Sequence, residues 1–321
     1  MKILITGGAG FIGAHLAKKL IEQGHQITII DNFNGYYDPK LKKDRVKVLL
    51  SNKKYQLYKT DICNYQKMKL IFKKHKPDIV CHLAAMAGVR YSMENPFKYE
   101  EANVKGTLTM LELAKEFKIK GFIFASSSSV YGDNSKIPFS EDDRTDHPIS
   151  PYAATKKATE GLAYCYHHNY GLRCTGLRFF TVYGPWGRPD MATFKFTKNI
   201  FENQTIELYN RGNMMRDFTY IDDIVSGIIK AIKKNHSFEI INLGNNKPEN
   251  LKYFIKVLEH EIGKKAKKKL LPMPKGEVLK TYASITKAKK LLGFKPKTLI
   301  EQGLKEFVKW YMEYYKIKFK T

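Results

Sequence analysis

A doubly wound α/β fold, one parallel sheet with helices on both faces, is what this sequence predicts. Three observations carry that prediction. Short apolar runs alternate with longer helical patterns through the first half of the chain. A glycine-rich turn joins the first run to the first helical stretch. The runs are continuously apolar, as Ile27-Thr28-Ile29-Ile30 and Phe122-Ile123-Phe124-Ala125-Ser126 show, and strands buried on both faces require that.

Strands are predicted at Lys2–Thr6, 26–30, 55–58, Ile79–His82, 121–126 and 173–178. Helices are predicted between them at 11–23, 65–74, 96–117 and 152–170. After Arg178 the rhythm loosens, and Pro185, Gly187, Pro189, Gly212, Pro248, Pro272 and Pro274 punctuate shorter elements. A helical stretch at 220–233 and a strand at 240–243 are patterned to return to the sheet. No internal repeat is evident.

The 321 residues, 43% of them hydrophobic, suffice for one large domain or two interlocked ones. No apolar run approaches the ~20 residues of a membrane helix, so no membrane partner is expected. The N-terminus reads as a first strand and not as a signal peptide. Cys63, Cys81, Cys165 and Cys174 show neither C-x-x-C spacing nor a disulfide framework, which places free thiols in a reducing, cytoplasmic setting. The net charge of +25 comes largely from scattered lysines. Its one dense run, 264–269, reads as a solvated connection without stacking aromatics. The charge therefore points to an anionic small substrate and away from nucleic acid.

Thr6-Gly7-Gly8-Ala9-Gly10-Phe11-Ile12-Gly13 lies between the first strand and the first helix. It satisfies G-x-G-x-x-G through Gly8, Gly10 and Gly13, and G-x-x-G-x-x-G through Gly7, Gly10 and Gly13. Glycines permit a tight turn and let the backbone approach a pyrophosphate, while the helix N-terminus offers unpaired N–H groups. Asp31, with Asn32 beside it, ends the second strand about 18 residues on. A carboxylate there accepts from both ribose hydroxyls and repels a 2′-phosphate, so NAD is the expected cofactor. Asp61 and Ile62 follow the third strand at the expected adenine edge. Leu83, Ala84 and Ala85 supply small residues after the fourth, and Asn103 is a further cofactor candidate. The N-terminal part, 1–180 with 219–245 returning to it, is thus a Rossmann-type dinucleotide domain. Segments 181–218 and 246–321 form a smaller, interleaved substrate region.

Tyr152-Ala153-Ala154-Thr155-Lys156 opens a predicted helix about 25 residues after the serine run 126–129. Positions i and i+4 share a helix face, so phenol and ammonium point into one pocket. A free tyrosine ionises near pH ~10; reaching about 7 takes roughly 3 units, or about 4 kcal/mol of differential stabilisation. A fixed cation such as Lys156 is expected to drive that shift. His167 and His168 adjoin no cluster with ligand spacing, so no metal is expected.

These features resemble the extended short-chain dehydrogenases/reductases: the glycine turn, His82-Leu83-Ala84-Ala85, the serines before Val130-Tyr131-Gly132, and Tyr152-x-x-x-Lys156. Two longer stretches, Ala87 to Pro96 and Arg178 to Ala192, are similar to UDP-glucuronate 4-epimerases. That resemblance implies an NAD-dependent interconversion of UDP-glucuronate and UDP-galacturonate. Tyr152 would take the O4 proton while C4 gives a hydride to NAD. Lys156 would hold the nicotinamide ribose, and Ser127, Ser129 or both would hold O4. Thr181 and Arg188 would clamp the sugar carboxylate, with Arg90 and Ala192 beside the substrate. Arg216 would bind the UDP pyrophosphate, or else pair with Asp217 or Asp222. Related dehydratases and decarboxylases usually carry an acid where Ser129 stands. In the family, helices such as 96–117 and 152–170 pair across a two-fold axis, so a homodimer is implied. The alternatives left open are a neutral or N-acetylated UDP-sugar, or a non-catalytic dinucleotide sensor.

Overall fold

The computed structural model describes residues 1–273 and 279–317. Of the predicted substrate region 246–321, residues 274–278 and 318–321 lie outside the described residues. Twelve strands occur among those described: β1 (Lys2–Thr6), β2 (Gln26–Asp31), β3 (Gln56–Lys59), β4 (Ile79–His82), β5 (Gly121–Ser127), β6 (Cys174–Phe179), β7 (Thr181–Tyr183), β8 (Thr205–Leu208), β9 (Met215–Tyr220), β10 (Phe238–Leu243), β11 (Pro248–Asn250) and β12 (Lys267–Leu270). Seven form the main sheet in the order β10-β6-β5-β4-β1-β2-β3. Every pairing in it is parallel. The chain order reverses between β1 and β4, and a crevice opens beyond the carboxyl ends of the strands at such a point.

Side-chain alternation along the strands divides the core in two. Ile3, Ile5 and Ile123 face one layer with Leu16, Ile224 and Ile228. Leu4, Phe122 and Phe124 face the other with Met68, Met110 and Ala163. Helices Phe11–Glu22 and Ile221–Lys234 cover the first face. Helices Tyr65–His75, Gly106–Glu116 and Pro151–Tyr170 cover the second. The strand Phe238–Leu243 lies beside β6 at the sheet edge, after residues 180–237 have built β7, β8 and β9 and returned along helix Ile221–Lys234.

Three elements differ from the sequence expectation. The predicted helix 96–117 is three pieces: Pro96–Tyr99, a π-helical stretch Glu100–Lys105, and Gly106–Glu116. A wide turn of this kind turns side chains off the regular register, and it carries Asn103. Helix Pro39–Leu49 was not foreseen. Its buried face includes Lys42 and Arg45, so the apolar period that betrays a helix is broken there. The lysine run is not a plain connection: Lys267–Leu270 pairs parallel with β8, although all four residues stay exposed. Lys268 reaches Glu259 at 2.8 Å.

The smaller region packs helices Ala192–Phe201, Leu251–Ile262 and Ile300–Tyr315 around Tyr183, Ile200, Phe218, Phe254 and Leu304. One buried cation ties it to the sheet. Arg45, 0% exposed, donates to Ala9 O (2.7 Å) in the glycine turn and twice to Trp186 O (3.2 and 2.8 Å).

Candidate active site

A cleft of about 1180 Å³ runs over the carboxyl ends of β1, β4 and β5 and under the smaller region. That exceeds the ~300–1,000 Å³ of a drug-sized pocket and suits two large ligands side by side. It gathers Gly7, Gly10, Phe11, Ile12, Gly13, Asp31, Asn32, Asp61, Ile62, Leu83, Ala84 and Ala85 along one side. Ser127, Ser129, Tyr152 and Lys156 lie in the middle, with Arg90, Thr181, Arg188, Ala192 and Arg216 toward the smaller region. Of the residues singled out from the sequence for a ligand, Gly8 of the glycine turn does not line the cleft, and the other exception is Asn103. It is buried, receives Met86 N–H at 2.8 Å, and donates to Met86 O and Thr155 Oγ1, both at 3.0 Å. Its amide braces the cleft wall through these three bonds.

The glycine turn is built from backbone. Gly7 has φ +67°, and a Cβ there would lie 2.8 Å from Ala84 N. A Cβ at Gly13 would lie 2.3 Å from Gly7 O. Gly10 caps helix Phe11–Glu22 without any side-chain hydrogen bond, which leaves N–H groups at the mouth of the cleft. Thr6 braces the turn from below: His82 Nδ1 is 2.8 Å from its Oγ1, and Ala84 N–H donates to the same oxygen at 3.1 Å. His82 Nε2 meets Thr107 Oγ1 at 3.0 Å, and burial drives the imidazole pKa down to about 3. Asp31 accepts N–H bonds from Ala9 (3.1 Å) and Phe33 (2.8 Å), which hold its carboxylate at the end of β2. Lys42, buried on the unforeseen helix, stands 3.9 Å from it. The cradle fits a dinucleotide pyrophosphate, and Asp31 fits its adenosine ribose.

Tyr152 and Lys156 open the long helix Pro151–Tyr170, capped by Ser150, whose side chain accepts from Ala153 N–H at 3.1 Å. Lys156 donates to Ala125 O at 2.9 Å, a bond to β5 and not to the phenol. Its surroundings set its charge. Burial lowers the ammonium pKa to about 8, opposed by Glu160 one turn on. Glu160 in turn accepts from Arg178 Nε (2.9 Å) and Nη2 (2.8 Å) and from Ser126 Oγ (2.6 Å). The expected acidification of Tyr152 by Lys156 is not what the protein alone produces. Burial raises the phenol, while a hydrogen bond with Ser127 and the charge of Arg188 oppose it. One of the three N–H groups of the ammonium is used on Ala125 O. Ser127 Oγ also accepts from Ser129 N–H at 3.1 Å, so the serines form one turn facing the phenol.

On the opposite wall, Gly88 O accepts from Tyr99 OH at 2.8 Å, and the Tyr99 ring meets Tyr152 edge-on at 6.0 Å. Arg90 stacks over Tyr209, its guanidinium 4.4 Å from the ring centroid. Arg216 donates to Met215 O (3.0 Å) and Leu279 O (3.3 Å). Asp217 holds the amides of Asn245 (2.6 Å), Asn246 (3.1 Å) and Ala283 (3.0 Å). Tyr36, Lys42 and Asp190 also line the cleft and were not singled out from the sequence. Asp190, two residues from a candidate carboxylate-binding arginine, was detectable; Tyr36 and Lys42 sit in a segment without a motif.

A parallel sheet with this cradle and a helix-borne Tyr-Lys pair defines an extended short-chain dehydrogenase/reductase. The chain belongs to the GDP-mannose 4,6 dehydratase family of epimerases and dehydratases, whose model matches residues 4–307. It is 54% identical over 313 residues to an uncharacterized protein of Methanocaldococcus jannaschii, covering 97% of this chain and 96% of the relative. It is 48% identical over 311 residues to a UDP-glucuronate 4-epimerase of Thermodesulfobacterium geofontis, covering 97% and 96%. Among solved structures, the Bacillus cereus UDP-glucuronic acid 4-epimerase in complex with UDP-glucuronic acid and NAD superposes with a TM-score of 0.93 at 38% identity, covering 98% of this chain and 100% of that one.

Proposed function

We propose that this protein is an NAD-dependent 4-epimerase that interconverts UDP-glucuronate and UDP-galacturonate. One observation carries the reading: a single cleft holds the glycine cradle, the Tyr152–Ser127 pair, and Arg188 near enough for its charge to act on the phenol. Bound NAD would take a hydride from sugar C4, return it, and place a positive charge beside Tyr152. Gly7, Gly10 and Gly13 would hold its pyrophosphate, Asp31 its adenosine ribose, and Lys156 its nicotinamide ribose.

The chain's own work is proton transfer and orientation. Tyr152, as phenolate, accepts the O4 proton while the C4–H pair leaves; the 4-keto sugar turns, and Tyr152 returns the proton to O4 once C4–H forms on the other face. Ser127 and Ser129 donate to O4 and to the carbonyl oxygen. Thr181 and Arg188 hold the sugar carboxylate, a β-keto acid's leaving group, away from the alignment that releases carbon dioxide. Ser129, standing where a further acid-base group would sit, leaves the chemistry at the epimer. Arg216 would meet the UDP phosphates, and the +25 charge favours capture of the anionic nucleotide sugar.

A cytoplasmic homodimer goes with this reading. Phe97 (85% exposed) and Leu108 lie on the segment 96–116, with Tyr164 and Tyr170 exposed on Pro151–Tyr170. These are the two helices that would meet a second copy. Among the described residues, no helix is long and apolar enough to cross a membrane. Proton NMR of purified protein with NAD and UDP-glucuronate tests the function. UDP-galacturonate is the expected product; UDP-pentose alone, or no turnover, refutes it.

A further inference from the structure

The cleft contains an ion pair that the proton and hydride transfers do not require. Arg188 Nε donates to Asp190 Oδ1 at 3.0 Å, and its Nη2 donates to Asp190 Oδ2. The same Nη2 donates to Ala87 O at 2.9 Å. Tyr36 OH donates to Asp190 Oδ2 at 3.2 Å, and its ring lies 5.9 Å from the guanidinium carbon. Both charged side chains are nearly four-fifths buried, at 22% and 23% exposed, and both line the cleft.

A guanidinium presents its donors as two-pronged edges that match a carboxylate. Here the Nε/Nη2 edge is already filled by a carboxylate of the chain itself. Among the described residues, Nη1 meets neither carboxylate nor carbonyl. An acidic sugar arriving at Arg188 therefore finds a half-used cation with a negative charge beside it.

We propose that Asp190 is a specificity-determining residue that limits the grip of Arg188 on the sugar carboxylate by occupying its Nε/Nη2 edge. The inference rests on the epimerase reading above and deepens it. A sugar that must turn over between two hydride transfers has to be released from its first pose. A partly buried two-pronged arginine–carboxylate pair is among the strongest side-chain contacts, and gripping the substrate that way would favour one pose over the other. With Asp190 in place, the substrate carboxylate is held by one edge and repelled by a neighbour, so it is recognised without being locked.

The test separates charge from shape. Asp190→Asn keeps the size and one acceptor oxygen and removes the negative charge. Calorimetry on NAD-loaded enzyme carrying Tyr152→Phe reads affinity without turnover. Removing one charge about 6 Å from the ligand, at an effective dielectric of about 40, corresponds to roughly tenfold. UDP-glucuronate should bind about tenfold more tightly to the Asp190→Asn form, with UDP-glucose unchanged. With Tyr152 restored, KM and kcat for the uronate should fall together, the signature of a substrate held too firmly. In an Arg188→Ala background the same substitution should tighten uronate binding by less, since only the direct repulsion by Asp190 is then relieved. Asp190→Ser repeats the measurement should the Asn form fold poorly. Weaker or unchanged uronate affinity, or equal changes for both sugars, overturns the proposal. If the unsubstituted protein neither binds nor converts UDP-glucuronate, it is the epimerase reading that fails; if it converts the uronate and Asp190→Asn leaves affinity unchanged, the proposal alone fails.

Discussion

The two sides of the cleft are made of different material. The side over β1 and β4 is backbone: a turn closed by Gly7 and Gly13, an uncapped helix end, and the small residues Ala84 and Ala85. The side under the smaller region is charge carried on side chains: Arg90, Arg188, Asp190 and Arg216, with Tyr36 between. A backbone cradle has little freedom to change, because any added atom strikes main chain. A side-chain wall can be retuned one residue at a time while the fold stays intact. The contrast explains how one scaffold keeps a fixed cofactor and varies its sugar.

Four substitutions probe that contrast, in descending size. At the seam, Tyr152→Phe should lower epimerase turnover by about 10³, the usual worth of a positioned acid-base group, with NAD affinity unchanged. Retention of more than a tenth of the rate would remove Tyr152 from the chemistry. On the backbone side, Gly13→Ala sets a Cβ 2.3 Å from Gly7 O, where neither atom can give way. NAD affinity should drop about a hundredfold, or about 3 kcal/mol, in a fluorescence titration. A normal affinity would mean that the turn is not the cradle. On the side-chain wall, Arg188→Ala should cost UDP-glucuronate about thirtyfold in kcat/KM, or about 2 kcal/mol, and UDP-glucose little. Equal losses would take the arginine out of carboxylate recognition.

The smallest effect lies beneath the cradle and concerns stability. Burial holds His82 neutral, with its pKa lowered to about 3 from an ordinary 6.5. Below pH 6.5 the unfolded chain binds a proton at this site that the folded chain refuses. The stability present above pH 6.5 is therefore lost progressively toward pH 3, by about 2 kcal/mol at pH 5. His82→Gln keeps a partner for Thr6 and Thr107 and does not titrate. Urea melts from pH 7 to pH 5 should fall less steeply for this variant; parallel slopes would show that the histidine is not neutral in the fold.

Much of the backbone side was legible because glycine spacing, continuous strands and an acid at the end of β2 are local signals. Asp31, Gly13 and Lys156 could each be placed from neighbours in the chain. The other wall was less so, since its contacts join residues far apart: Tyr36 meets Asp190 across 154 positions and Arg188 meets Ala87 across 101. Helix Pro39–Leu49 escaped because its inward face is half basic, and no apolar period survives a buried Lys42 and Arg45. The Lys156 contact was out of reach of the sequence for a related reason. Sequence spacing puts a lysine on the right face of the helix, but it does not reveal that its ammonium donates to Ala125 O.

The buried Arg45 has a kinetic consequence. One guanidinium is bonded at once to the main chain of the glycine turn and to that of the segment carrying Arg188. Parting the turn from that segment would unfasten a rivet that lies wholly out of water, and a coenzyme held beneath it would be slow to leave. Such an enzyme would exchange its substrate many times for each time it parts with its coenzyme.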